Sequence, residues 1–265
     1  MTKEDNLSKV SLLYFSPTHT SKQMAEAVAE GVSASRIESI DLTCDLGNAP
    51  IHITEGVAIV AVPVYAGRVA PLALERLRRV TANRIPVTLL VIYGNRAYDD
   101  ALVELSDTLT TLGFIPTSAG AFIGEHSYSR SLMPIAEGRP DATDLSIARR
   151  FGNDSRPFLL AAHSCVPHLP LPGNRPYKPV STPTPAVPIS TDNCTSCGIC
   201  VDVCPTGAIS ITNGERPVTN PDLCIKCCAC VKDCPSDARI FNTPYTKKLH
   251  TNCSLYQTPT LFFPV

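Results

Sequence analysis

The chain has 265 residues, 44% of them apolar and 18% charged, enough for one ordinary α/β core with a smaller attachment. Its 23 Lys and Arg nearly cancel 24 Asp and Glu, which excludes a partner recruited by bulk charge, such as nucleic acid or an anionic membrane surface. The first nine residues are polar, and the longest apolar stretch, residues 57–66, is interrupted by Pro63 and too short to span a bilayer. A cytoplasmic protein with no membrane span is expected.

In chain order, apolar runs that read as strands (residues 10–15, 36–42, 57–62, 87–93 and 114–123) alternate with helical patterns. The helices are expected at 21–31, 71–80, 99–112 and 143–151. This alternation predicts an α/β domain whose doubly wound parallel five-stranded sheet is covered by helices on both faces. In such a sheet the ligand lies beyond the carboxyl ends of the strands, at the switch in strand order. The loops at those ends are therefore the candidate binding residues.

After the first strand stands Ser16-Pro17-Thr18-His19-Thr20-Ser21, running directly into a helix. Hydroxyls and free backbone N–H groups at a helix start can bind a phosphate dianion without Lys or Arg. Plain helix capping would need only Thr20 or Ser21. After the third strand comes Pro63-Val64-Tyr65-Ala66-Gly67-Arg68, and after the fourth Tyr93-Gly94-Asn95-Arg96-Ala97-Tyr98. Each offers a tyrosine for stacking, a glycine for close backbone approach and an arginine for an anionic group. Residues 124–128, with His126 and Tyr128, lie at the same end.

The first loop resembles the phosphate loop of flavodoxins, (S/T)-x-T-G-x-T, with His19 at the glycine and Ser21 at the last threonine. The resemblance covers about residues 8–160. It implies a flavodoxin-like FMN-binding domain over 1–165, with the loops at 16–21, 63–68 and 93–98 holding FMN and the last two flanking its ring.

Residues 166–188 are rich in proline without helical or strand period, and read as a linker or an ordered strap. Beyond it, Cys194, Cys197, Cys200 and Cys204 precede Pro205, and thirty residues later Cys224, Cys227, Cys230 and Cys234 precede Pro235. Both runs spell C-x2-C-x2-C-x3-C-P. Soft thiolates select iron–sulfur clusters or zinc, and zinc sites normally space two C-x2-C pairs by a longer loop. The repeat resembles bacterial-type ferredoxins that hold two 4Fe-4S clusters, over residues 189–241. In that family the fourth Cys of each run ligates the other cluster. The resemblance thus implies one cluster on Cys194, Cys197, Cys200 and Cys234, and a second on Cys224, Cys227, Cys230 and Cys204.

Gly198 and Gly207 have Cys228 and Asp237 at the matching places of the second run. Cys228 reads as a small side chain packed beside a cluster. Cys44, Cys165 and Cys253 have no partner spacing and read as structural thiols. The apolar tail, residues 242–265, is expected to pack back on a domain.

Together the two resemblances point to fused flavodoxin-like and two-cluster ferredoxin proteins of anaerobic bacteria and archaea. They imply electron transfer between the clusters and FMN, with a redox protein as partner. Two other readings remain open: a flavin-dependent reductase of a small organic substrate, and a ferredoxin whose flavodoxin-like part is a docking scaffold without FMN. No catalytic residue is assigned.

Overall fold

The computed structural model describes residues 7–45, 47, 49–162, 164, 168–180, 185–212 and 215–265. Cys165 and parts of the proline-rich stretch lie outside them.

β1 (Val10–Tyr14) is buried along its whole length, as an inner parallel strand covered on both faces must be. α1 (Thr20–Val32) places Met24, Ala25, Val28 and Val32 on one buried stripe. β2 (Ile37–Asp41) alternates exposed and half-buried residues, the signature of an edge strand. β3 (Ile51–Ile53), β4 (Val57–Tyr65), β5 (Arg68–Val69), α2 (Pro71–Leu77), β6 (Val80–Ala82), β7 (Ile85–Tyr93), α3 (Ala101–Thr111), β8 (Phe114–Ile123) and α4 (Ala142–Ala161) complete the layer.

Strand order in the main sheet is β2-β1-β4-β7-β8, parallel throughout. Leaving aside the short accessory strands, that is the flavodoxin-type order, in which β1 and the next long strand flank the ligand crevice. The fold is therefore flavodoxin-like on its own topology. One apolar face packs with α2 and α3 around Phe15, Leu77, Leu89 and Leu102, and the other with α1 and α4 around Leu12, Met24, Phe122 and Phe151.

Four elements depart from the sequence expectation. β4, expected to end at 62, runs to Tyr65 and pairs through Val64 and Tyr65 with β5, so Pro63, Val64 and Tyr65 are strand and not loop. The helix expected over 71–80 stops at Leu77, and Val80–Ala82 instead pairs in parallel with β3. The last helix, expected to end at 151, runs to Ala161 with Pro157 inside it. A proline there forfeits one backbone hydrogen bond, yet Phe151, Ser155 and Leu159 remain buried around it. The sheet also gains a sixth strand in its main path, antiparallel on the free edge of β8, from the tail segment β13 (Thr260–Phe262). Its neighbouring side chains alternate across the sheet, Leu261 and Phe263 packing on one core and Phe262 on the other.

Between α4 and β13 lie β9 (Ile189–Ser190), α5 (Ile199–Asp202), β10 (Ile209–Ser210), β11 (Val218–Thr219), α6 (Ala229–Lys232), β12 (Arg239–Ile240) and α7 (Tyr245–Asn252). Two antiparallel pairs, β10 with β11 and β12 with β9, frame the cysteine runs, and α5 and α6 are single turns of helix that pack on each other. Among the described residues no helix is long and apolar enough to cross a membrane.

Candidate functional site: two thiol-lined cavities and the carboxyl end of the sheet

Each cysteine run turns tightly enough to aim its first three sulfurs into one cavity, and the turn has a backbone cost. Ser196, Gly198 and Gly207 in the first copy, and Lys226, Cys228 and Asp237 in the second, all have positive φ. The second copy thus keeps the left-handed backbone of the first with non-glycine residues, at a cost of roughly 1–2 kcal/mol each.

The first cavity is lined by Cys194, Cys197, Cys200 and Cys234, and the second by Cys204, Cys224, Cys227, Cys228 and Cys230. The fourth cysteine of each run therefore faces the other run's cavity. Two backbone contacts repeat between the copies: Ala208 N donates to Cys204 Sγ at 3.3 Å, and Ala238 N donates to Cys234 Sγ at 3.3 Å. Such N–H···S contacts stabilise charge on sulfur, one of the levers on a cluster's potential.

Burial pushes the Cys227 thiol up to about 12 and the Cys230 thiol up to about 11, so these thiols become thiolates only where a cationic centre compensates. Thiols spread around a volume suit a cubane better than one tetrahedral zinc.

Arg239, which sequence reasoning missed, stands between the cavities. It is 2% exposed, lines the first cavity and donates through Nη2 to Cys230 Sγ at 3.9 Å in the second. Its other hydrogen bonds reach Ser190 Oγ, Thr219 Oγ1 and the Pro188 and Pro217 carbonyls. Nothing in the local sequence distinguishes this arginine from a surface one, because all its partners are remote in the chain.

At the carboxyl end of β1, the loop at 16–21 turns on His19, which has φ 65°. The departure from glycine is accommodated by the backbone, while the ring points away from the loop. Its Nε2 donates to the Asp233 carboxylate at 2.9 Å, beside Cys234. Ser16 Oγ accepts from Lys22 N at 3.0 Å, and Ser16 N donates to Thr43 Oγ1 at 2.8 Å. Ser21 Oγ is buried without a hydrogen-bond partner. A buried hydroxyl left open at a helix start is what a bound phosphate would satisfy.

The second and third loops meet the cysteine-rich segment and the tail. Tyr65, half-buried, lies within electrostatic reach of Cys227, Cys228 and Tyr128; burial first, then those neighbours, pushes its phenol well above the usual value. Ile225 packs against the same core as Val64 and Tyr65. Gly67 leaves room for the Asp99 carboxylate and Gly94 for the His126 ring; a Cβ at either would overlap them. Tyr93 is buried edge-on to Tyr98, their centroids 5.4 Å apart.

Neither predicted anion-binding arginine is free. Arg68 is chelated by Glu104 and lies over the Tyr177 ring, and Arg96 pairs with Asp99 at 2.8 Å. Asn95 Nδ2 donates to the Cys253 and Leu255 carbonyls at 2.7 and 2.8 Å, while its Oδ1 is buried without a partner. Pro63 and Val64 lie at the end of β4, and the turn to β5 is made by Ala66 and Gly67, both at positive φ. Tyr128 stacks edge-on against Phe241 at 5.2 Å, and burial holds His126 down to about 4, so its ring is neutral at pH 7.

The cysteine-rich segment is held to the α/β layer beneath it by further contacts. Lys232 bonds Glu125, Arg130 bonds Asn242 and the Phe241 carbonyl, and Arg76 bonds the Leu42, Thr43 and Pro205 carbonyls. Cys44 lies over the Val203 carbonyl at 3.9 Å.

Two family models, each described as a 4Fe-4S binding domain, match residues 187–210 and 221–243. No curated protein matches the chain. Among solved structures it is similar to a flavodoxin from the domain Archaea, at 14% identity and TM-score 0.37, covering 57% of this chain and 98% of that one. It is also similar to oxidised flavodoxin 1 from Bacillus cereus (12% identity, TM-score 0.38, 56% and 97% covered). A third is a point mutant of the Fusobacterium nucleatum flavodoxin bound to flavin mononucleotide (12% identity, TM-score 0.38, 58% and 96% covered).

The chain joins a flavodoxin-like α/β layer to a segment with two 4Fe-4S binding repeats. Its activity is of the electron-transfer class, since such clusters exchange electrons.

Proposed function

We propose that the chain binds FMN at the carboxyl end of its sheet and passes electrons between that flavin and two 4Fe-4S clusters. The observation that supports this best is the position of the second cavity. Ile225, which lines it with Cys227 and Cys228, packs on the same core as Tyr65, the last residue of β4, next to the switch in strand order. A ligand at the sheet's crevice and a cluster in that cavity would be neighbours.

On this reading Cys194, Cys197, Cys200 and Cys234 ligate the first cluster, and Cys204, Cys224, Cys227 and Cys230 the second. The donor set fits: soft thiolates surrounding a volume, two of them receiving backbone N–H bonds. The residues at the sheet also fit a phosphate-bearing flavin. Ser21 Oγ is open, the backbone at His19 already has the left-handed turn, and the imidazole is out of the way. When bound, FMN supplies exchange between one-electron and two-electron chemistry. The chain's own residues hold it, exclude water and set the gap to the second cluster. Neutral, half-buried His126 is no proton donor at pH 7, which disfavours a substrate reductase that would use it as acid.

The scaffold reading has one observation in its favour: Arg68, His19 and the Asn95 Nδ2 group are spent on the chain's own contacts. Anaerobic quantitation of one preparation separates the two. About eight iron, eight sulfide and one phosphate-bearing flavin per chain are expected. Full iron with no flavin, even after incubation with FMN, selects the scaffold. Stoichiometric zinc in a colourless protein overturns both.

A further inference from the structure

The two cysteine runs repeat in sequence, but the structure does not treat them alike. Cys197 is exposed, whereas Cys227, its counterpart, is 8% exposed. Ile225, which lines the second cavity, packs with Tyr65 on the α/β core, whereas the residues that line the first all belong to the cysteine-rich segment. Around the first cavity stand Ile199, which lines it, and Val218, beside the lining Pro217; both are exposed large apolar side chains.

Charge on that side is mainly acidic. Asp202 stands two residues after Cys200, the Glu215 carbonyl accepts from Ser196 Oγ, and Asp237 follows the lining Ser236; all three residues are exposed. Arg216 is engaged with Asp192 at 2.7 Å. The basic residues of the segment are spent inward: Lys232 on Glu125, Lys226 on the Cys224 carbonyl and Arg239 between the cavities.

We infer that the face around the first cavity is the port through which this protein exchanges electrons with a separate one-electron carrier protein, one that presents basic residues around an apolar centre. The inference rests on the cluster assignment proposed above. An exposed apolar centre with an acidic rim steers such a partner by charge and lets it approach the first cluster closely. The second cluster is then the inner relay, because the chain itself covers it.

The test is reduction of ferricytochrome c, a basic one-electron acceptor protein, by the pre-reduced full chain under anaerobic stopped flow. Iron and sulfide are counted in every sample, so loss of the cluster assignment shows as missing iron and not as a changed rate. The second-order rate constant is expected to fall at least tenfold between 10 and 300 mM salt. At low salt, Asp202→Lys with Glu215→Lys is expected to slow it at least fivefold. Asp154→Lys, on exposed α4, is expected to change it less than twofold. With clusters intact, a salt-independent rate, or equal slowing by Asp154→Lys and the paired variant, overturns the port. So does sedimentation of the chain as a dimer that Val218→Asp disperses, since a second copy would then cover the face.

Discussion

His19 shows how a single position can satisfy two demands. At φ 65° its backbone takes the turn that glycine takes at no steric cost, and its exposed ring reaches Asp233 in the cysteine-rich segment. The imidazole of this hydrogen bond is exposed, so its contribution is small, about 0–1 kcal/mol. The backbone strain is of similar size, roughly 1 kcal/mol. His19→Gly is therefore expected to leave thermal stability nearly unchanged, while His19→Ala, which keeps the strain and loses the bond, is expected to unfold at lower denaturant. Equal midpoints for the two variants would remove the strain argument. The same logic was half legible at Cys228 and Asp237. Their replacement of glycines could be read from the repeat, but that they retain positive φ could not, since side-chain identity does not fix φ. His126 gives a pH signature. Its folded value of about 4 lies below the ordinary 6.5, through burial first and then the nearby Lys232 and Arg96 cations. Below pH 6.5 the unfolded chain takes up a proton that the folded chain refuses, so stability is lost as pH falls from 6.5 towards 4. At pH 5 the loss is about 2 kcal/mol. His126→Gln should flatten that slope between pH 7 and 5 in urea titrations; a parallel slope in both proteins would refute the assignment.

At the scale of elements, the contact between α1 and α4 depends on two glycines facing each other. A Cβ on Gly31 would overlap the Arg149 carbonyl, and one on Gly152 would overlap the Val28 carbonyl, so the helix backbones touch. Gly152→Ala raises local helix propensity by roughly 1 kcal/mol, but it must push the helices apart around Phe151 and Met24, both fully buried. Overpacking of this kind costs about 1–3 kcal/mol, so net destabilisation is expected in denaturant melts. A stabilised variant would show that the pair has slack. The parallel strands were legible because each is an apolar run bounded by turn residues. The full length of α4 was not, since Pro157 reads as a stop and only tertiary burial of Leu159 carries the helix past it. Strand β13 was invisible for a different reason: three residues pair with an edge more than a hundred positions away, and no local pattern announces that partner.

On the scale of the whole molecule, the cross-over of the fourth cysteines makes the two halves of the cysteine-rich segment interdependent. Cys234 belongs to the second run yet lines the first cavity, and Cys204 does the reverse. The spacing suggested this only through the ferredoxin resemblance; the docking of the segment on the sheet through Glu125, Arg130 and Arg76 had no sequence signal at all. Substituting one cysteine in the middle of a run and one at its end therefore separates ligation in sequence from ligation in space. Cys197→Ser and Cys234→Ser, in different runs, should lower the iron of the same cluster, leaving about four irons per chain in each variant if one cluster survives. Cys204→Ser should instead act on the cluster beside Tyr65. If flavin is bound there, that variant slows electron exchange with the flavin far more than Cys197→Ser does, and flash-reduction kinetics followed at flavin and cluster wavelengths read the difference. Should Cys204→Ser and Cys197→Ser give the same remaining cluster signal, each run would be holding its own cluster, and the interlocked arrangement would be wrong.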